Sequence, residues 1–196
     1  MRVRSTTFCG SGFAAGFVNA SLLFCVGAMA VVGSLDWVKP GMRIGIKLNL
    51  VHAVAPETAT TTHPALVQAL VALLHEKGAH AVLGDSPGGL FNAAHLDKVY
   101  RICGLTDCGA ELNHDFSVKS AQFPEGKVLK QFQYTGWLDS CDALINFCKL
   151  KTHGMMGLTG GCKNLFGVIP GTAKPEYHYR FPNPDRFADM ILDLND

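Results

Sequence analysis

The chain has 196 residues, 48% of them apolar and 17% charged, with a formal net charge of +1. This is enough apolar material for one sizeable hydrophobic core, so we predict a single principal domain. The near-zero net charge excludes a global field that would attract nucleic acid or an acidic membrane; we expect neither as a partner, and any anion binding must be local.

The N-terminal segment differs from the rest of the chain. Arg2 and Arg4 precede an apolar run from Gly12 to Gly33, an order that is also found in signal peptides. Polar residues interrupt the run, and its small residues suit a helix packed inside a protein. We predict an apolar N-terminal helix over residues 1–33, with a targeting segment or a misassigned start as alternatives, and one α/β domain over residues 34–196.

The next segment has the pattern of alternating strands and helices. Residues 42–47 predict a strand that ends near Lys47. Thr62-His63-Pro64 then precedes leucines at helical spacing, which predicts a helix capped by the Thr62 hydroxyl and ending at Gly78. A short strand over residues 80–85 and a helix from about Asn92 to Cys103 follow. This order implies a parallel strand pair.

The second half of the chain is less regular. Residues 110–114 and 128–134 predict weaker strands, and residues 143–150 predict a buried central strand. Residues 151–179 are rich in glycine with little periodicity, which is typical of a long functional loop. A last helix begins at Asn183 and has no stop signal, so we expect a C-terminally truncated chain. The predicted fold is a layered α/β sandwich with a parallel or mixed central sheet.

The seven cysteines are odd in number and include no C-x-x-C pair. This usage is typical of a reducing compartment, so we predict a cytoplasmic protein in which most cysteines are buried small hydrophobes. Cys103 and Cys108 are the nearest pair, and their segment offers few other ligands. The chain therefore carries no motif for binding an iron–sulfur cluster.

Polar clusters follow three of the predicted strands. Ligands of open α/β sheets gather at the carboxyl ends of the strands, where these clusters fall. Glycines allow backbone N–H groups to approach an anion, and lysines supply charge. We predict that a small anionic or phosphorylated ligand is bound by Lys47, Asn49, Ser86, Gly88, Gly89, Lys151, Thr159, Gly160, Gly161, Lys163 and Asn164.

Two residues of these clusters are predicted to transfer protons. Asp85 follows a strand directly, and His153 titrates near neutral pH. The alternatives stay open: the loop of residues 84–89 is also a plausible tight turn in which Asp85 or Ser86 only caps backbone groups, and Lys163 is also a plausible solvated surface charge. His63, His153 and His178 lack the fixed spacing of a zinc site, so we predict no metal site.

Two common nucleotide-binding motifs are missing. The glycine–lysine loop over residues 159–164 lacks the Walker A spacing, and G-x-G-x-x-G is absent. These absences argue against a P-loop nucleotide hydrolase and against conventional NAD binding. The cofactor and any enzymatic activity are left undetermined.

Six short motifs are specific when taken together: Val38-Lys39-Pro40-Gly41, Ile46-Lys47-Leu48-Asn49-Leu50-Val51, Thr62-His63-Pro64, Gly84-Asp85-Ser86-Pro87-Gly88-Gly89, Lys149-Leu150-Lys151-Thr152-His153 and Gly161-Cys162-Lys163-Asn164-Leu165-Phe166-Gly167. They resemble the domain-of-unknown-function family numbered 362, although Leu48 replaces the proline usual in that family. The resemblance implies an α/β fold and no established reaction. Many members carry a ferredoxin-like iron–sulfur module, which implies a redox association; here such a module would lie beyond Asp196.

A weaker similarity links the glycine–lysine loop to the nucleotide-binding domain of nickel-pincer lactate racemases. It implies a phosphorylated cofactor near Lys163 and His153, and thus a racemase-like or oxidoreductase-associated activity. Three hypotheses remain: a domain that binds a small anion, a non-catalytic scaffold that docks a ferredoxin-like module or partner subunit, and a truncated chain without function.

Overall fold

A computed structural model describes residues 35–196. The helix predicted over residues 1–33 lies outside the described residues. Within them the strands are β1 (Arg43–Lys47), β2 (His80–Gly84), β3 (Glu111–Leu112), β4 (Val118–Gln122), β5 (Gln131–Thr135), β6 (Ala143–Asn146), β7 (Lys151–His153) and β8 (Gly157–Thr159). The α-helices are α1 (Pro64–Glu76), α2 (Ala93–Ile102), α3 (Gly161–Asn164), α4 (Lys174–Arg180) and α5 (Pro184–Asp193).

The central sheet has four parallel strands in the order β3-β2-β1-β6. The prediction of a layered α/β fold is confirmed. The chain moves outward from β1 through β2 to β3 and then returns to the other side of β1 with β6. The strand order therefore reverses between β1 and β6, and in open α/β sheets the crevice outside the carboxyl ends at such a point is where ligands bind.

The strand predicted over residues 143–150 is shorter than expected and is not central. It ends at Asn146 and lies at the edge of the sheet, paired with β1 alone among the described strands. At the end of the strand, the Asn146 side chain donates a hydrogen bond to the carbonyl of Gly161 at 2.7 Å. Phe147, the next residue, packs against the core outside any strand.

Helices α1 and α2 cover one face of the sheet. Their buried side chains meet Ile44 and Ile46 of β1 and Leu83 of β2 in one hydrophobic cluster. The helix boundaries agree with the prediction to within two residues, but the cap of α1 does not. His63 Nδ1, not Thr62, accepts the Ala65 N–H. The Thr62 hydroxyl instead accepts a hydrogen bond from the Asn49 backbone N–H and donates one to the Phe147 carbonyl.

The other face of the sheet is covered by Trp137 and by residues from the C-terminal third of the chain, including Phe166 and Phe187. Glycine is required on this face, because a Cβ at Gly84 would come within 2.6 Å of the Trp137 indole. The indole therefore lies directly on the backbone of the sheet. Both faces of the sheet are thus covered by buried apolar residues, as in an α/β sandwich.

Residues 151–179 are not the unstructured loop that their low periodicity predicted. They form the β7–β8 hairpin, α3, a 3-10 helix (Leu165–Val168) and most of α4. These elements are three to seven residues long, too short for a helical or strand period to show in the sequence. Among the described residues, no helix combines the length and the hydropathy needed to cross a bilayer.

Candidate functional site

Lys47 and Asp85 form a buried ion pair at the carboxyl edge of the sheet. Lys47 is the last residue of β1, and Asp85 follows Gly84, which pairs with Lys47 in the parallel register. The Lys47 Nζ lies 2.6 Å from Asp85 Oδ1, and the two side chains are only 1% and 5% exposed. Two charges this deeply buried need further hydrogen bonds to be tolerated.

Those hydrogen bonds come from nearby backbone. Asp85 Oδ1 accepts the Ser86 N–H and Oδ2 accepts the Leu50 N–H, both at 2.7 Å. The Lys47 ammonium also donates to the Leu48 carbonyl at 2.6 Å. The ion pair thus joins the loops that follow β1 and β2. Both oxygens of Asp85 are engaged, as the alternative of a capping carboxylate anticipated.

Gly167 packs directly against this pair. A Cβ at Gly167 would collide with Lys47 Nζ and Asp85 Oδ1, and would lie 2.6 Å from Lys47 Cε. The Gly167 carbonyl accepts the Ser86 N–H at 3.2 Å. The absence of a side chain at position 167 is therefore what lets the chain close over the ion pair.

A network of amides joins the strand ends at the point where the strand order reverses. Asn164 Oδ1 accepts a hydrogen bond from Asn49 Nδ2 at 2.9 Å. Its Nδ2 donates to Asn146 Oδ1 at 2.8 Å and to the Leu48 carbonyl at 3.2 Å. Lys151 Nζ in turn donates to Asn49 Oδ1 at 2.8 Å. The fold brings the predicted residues Lys47, Asn49, Asp85, Lys151 and Asn164 together.

Two further lysines lie beside this network. The half-buried Lys163 ammonium lies 4.9 Å from the centre of the Phe166 ring and 5.7 Å from that of Phe187. The Lys174 ammonium lies 5.7 Å from the Phe166 ring and donates to the Ser86 carbonyl. Within residues 35–196, no carboxylate forms an ion pair with Lys151, Lys163 or Lys174.

The unpaired charges act on one another. Burial, reinforced by the charges of Lys47 and Lys151, lowers the pKa of Lys163 to about 8. Burial also lowers the pKa of Lys174 to about 8, with Lys47 and Lys163 adding to the shift and Asp85 opposing it. The pKa of Lys151 is lowered too, mainly by burial. The site therefore has a positive field that its single buried carboxylate does not neutralise.

The predicted histidine lies beside the same lysines. His153 is half-buried at the end of β7, and its Nδ1 accepts the backbone N–H groups of Met155 and Met156. Burial, followed by the charges of Lys163, His178 and Lys151, lowers its pKa. His178 stacks on the Phe187 ring with their centres 4.8 Å apart. No hydrogen bond or ion pair joins His153 to Asp85 among the described residues.

The predicted glycine loops divide into two groups. Gly160 and Gly161 begin α3 beside the amide network, and Thr159 before them is buried. Gly88 and Gly89 instead are exposed. Gly171 closes over that second loop: its N–H donates to the Ser86 hydroxyl at 2.8 Å, and a Cβ there would collide with the Pro87 carbonyl.

Sequence reasoning missed several residues of the site. Lys174 was one cation among many in an irregular segment, although the Lys174-Pro175 pair could have indicated a helix start. Gly167 stood in the last of the six motifs without a predicted role. Asn146 was hidden inside an apolar run. In the part of the chain that the structure describes, no group of three or more His, Cys, Asp or Glu residues is placed to hold a metal ion.

The fold and the site define an α/β domain with a polar, lysine-rich crevice at the strand-order reversal. Residues 44–196 match the model of the family described as Domain of unknown function (DUF362), and the chain belongs to this family. Residues 2–48 match a second model, Protein of unknown function (DUF554). The family predicted from the six motifs is thereby confirmed. The iron–sulfur and lactate racemase similarities stay predictions.

One curated relative is the Thylakoid-associated protein sll1697 of Synechocystis sp. (strain ATCC 27184 / PCC 6803 / Kazusa). It is 29% identical over 186 residues, an alignment that covers 92% of this chain and 56% of the relative. The chain thus spans just over half the length of this relative. No solved structure matches the chain significantly.

Proposed function

We propose that the crevice at the carboxyl ends of β1 and β6 binds a small anionic ligand, a phosphate ester or a carboxylate, with Lys163 as the direct contact. One observation carries this proposal. The Lys163 ammonium is half-buried and has only aromatic rings as partners within the described chain, in the company of two more lysines that lack a carboxylate. Burying unpaired charge is costly, and a bound anion would offset that cost.

The neighbouring lysines have other tasks as well. Lys47 is neutralised by Asp85, Lys151 is held by Asn49 and the Thr60 carbonyl, and Lys174 is held by the Ser86 carbonyl. These three lysines contribute positive electrostatic potential to the crevice. The Lys163 ammonium donates no hydrogen bond within the described chain, so its N–H groups are available to a ligand. With all four lysines protonated, the cluster carries three positive charges in excess, which suits a multiply charged oxyanion.

Replacing Lys163 with methionine tests this assignment. The change keeps the apolar contact with Phe166 and removes the ammonium, so we expect sulfate to bind at least about tenfold more weakly, the effect of losing one hydrogen bond to a charged group. We also expect an unchanged or higher Tm, because the variant no longer holds a cation whose pKa is lowered by burial. Isothermal titration calorimetry and a thermal melt measure the two effects.

Lys39→Met is the matched control, since Lys39 is exposed and lies before β1, at the opposite end of the strand from the crevice. It should leave the affinity for sulfate unchanged. If Lys163→Met binds sulfate as well as the unmodified chain does, Lys163 is not the contact. Acetate in the same titration distinguishes a preference for carboxylates from one for tetrahedral anions.

The affinity for sulfate is expected to fall as the pH rises through about 8. Lys163 and Lys174 lose their protons in that range, whereas sulfate keeps its charge throughout. Because the bound anion favours the protonated amines, binding near pH 8 should take up protons, which calorimetry detects by comparing two buffers of different ionisation enthalpy. A Lys163→Arg variant keeps its charge and should show a shallower decline. An affinity that is constant from pH 7 to about 9 would contradict the lysine assignment.

The wider role stays a matter of proposal. A redox association, with a ferredoxin-like module or partner subunit docked on the domain, rests on the family resemblance. A cytoplasmic location rests on the cysteine usage. The thylakoid association in the cyanobacterial protein's name belongs to that protein, and a similar association of this chain would be a further proposal. Anaerobic purification followed by mass spectrometry of released small molecules separates a ligand-binding domain from a scaffold, which should purify without a ligand.

A further inference from the structure

His153 lies at the end of β7, where the hairpin turns toward β8. Its Nδ1 accepts two hydrogen bonds, from the Met155 N–H at 3.2 Å and from the Met156 N–H at 3.1 Å. A backbone amide nitrogen is only a donor, so the ring nitrogen facing both amides must present its lone pair. The ring therefore carries its proton on Nε2 when it is neutral.

This tautomer limits the chemistry that His153 can perform. A general base needs a free lone pair within reach of the proton it takes. In His153 the lone pair of Nδ1 is engaged by the turn, and Nε2 bears a hydrogen. The charged ring would carry a proton on Nδ1, and the two backbone N–H groups would then lose their hydrogen-bond acceptor. The remaining capacity of the ring is donation through Nε2–H.

We propose that His153 is a neutral hydrogen-bond donor to the bound anion through Nε2–H and not a proton-transfer base, an inference that rests on the proposed anion site. The charged and titratable groups whose charge acts on the ring are Lys151, Lys163 and His178. All three are basic, so each disfavours the imidazolium form. Lysines that attract an anion thereby also keep the neighbouring imidazole neutral.

A simpler role for His153 is capping of the turn, and two substitutions separate the roles. In His153→Asn the amide oxygen takes the place of Nδ1 and can keep the cap, but nothing replaces Nε2–H. In His153→Gln the longer side chain carries an N–H near the position of Nε2. We expect the Asn variant to keep the Tm and lose about tenfold in affinity for sulfate, and the Gln variant to stay within about threefold of the unmodified chain.

The tautomer is read independently of binding. Long-range ¹H–¹⁵N correlation spectra of the ¹⁵N-labelled chain, with the His153→Asn spectrum as assignment, should show Nδ1 unprotonated and Nε2 protonated at neutral pH and above. Sulfate should shift the Nε2 resonance and leave Nδ1 unprotonated. A proton on Nδ1 in the neutral ring would overturn the inference at its base.

The remaining outcomes are equally decisive. If the Asn and Gln variants lose affinity equally, or neither loses any, His153 does not donate to the anion. If the unmodified chain binds neither sulfate nor acetate, the proposed anion site fails and the donor role fails with it. In that case the tautomer found by the spectra would identify His153 as a turn cap alone.

Discussion

Replacing Asp85 with alanine is expected to lower the free energy of unfolding by about 3–5 kcal/mol, the cost of leaving one member of a buried ion pair without its partner. The Lys47 ammonium would remain almost fully buried beside the Leu48 carbonyl, with no carboxylate. The Leu50 N–H would lose its acceptor as well, and the Ser86 N–H would keep only the Gly167 carbonyl. Urea denaturation followed by circular dichroism measures the loss.

The exposed pair between Lys119 and Asp139 is the matched control. Its atoms are separated by 2.7 Å, almost the same distance as in the buried pair, but both side chains are well exposed. Asp139→Ala should therefore cost far less than Asp85→Ala. If Asp85→Ala costs no more than this control, the buried pair is not a main support of the crevice. Combining Asp85→Ala with Lys47→Met should cost less than the sum of the two single changes.

A single added methyl group at position 167 should also destabilise the fold, by a smaller amount. In Gly167→Ala the new Cβ would occupy the space of the Lys47–Asp85 pair. Lys47 cannot swing away into solvent, because it is buried and held by its own hydrogen bonds. We expect a loss of about 1–3 kcal/mol, typical of an overpacked interior, and a displaced loop over residues 165–173.

Gly154→Ala is the matched control for that change. It lies in the same C-terminal third of the chain, and a Cβ there would meet nothing within 4 Å. Its free energy of unfolding should stay within about 0.5 kcal/mol of that of the unmodified chain. Equal stability of the Gly167 and Gly154 variants would mean that the chain does not close over the ion pair as described.

The local features of the fold could be predicted from the sequence, because they depend on neighbouring residues. β1 ends at Lys47 as expected, and Asn92 and Asn183 cap the helices that follow them. These positions are set by alternation and by side chains that reach only two or three residues along the chain. The prediction placed Thr62 as a cap wrongly, because its hydroxyl is taken by residues far away in sequence.

The features that depend on pairing could not be predicted. An apolar run such as residues 143–150 looks the same whether the strand is central or at an edge, and only its pairing with β1 decides. Lys174 reaches the Ser86 carbonyl across 88 residues of sequence, and Asn164 reaches Leu48 across 116. Contacts between residues so far apart produce no local pattern in the sequence from which they could be predicted. The strand-end rule nevertheless predicted that polar residues from several strand ends gather at one edge of the sheet, because it depends on topology and not on individual contacts.

The lowered pKa of Lys163 also gives this side chain a reactivity of its own. With a pKa of about 8, about one copy in ten carries a neutral amine at pH 7, against about one in three thousand for a lysine of ordinary pKa. A neutral amine is a nucleophile and an ammonium is not. We therefore expect acylating compounds to modify Lys163 at neutral pH. A bound anion favours the protonated form of Lys163. Anion binding should therefore slow the acylation of this side chain.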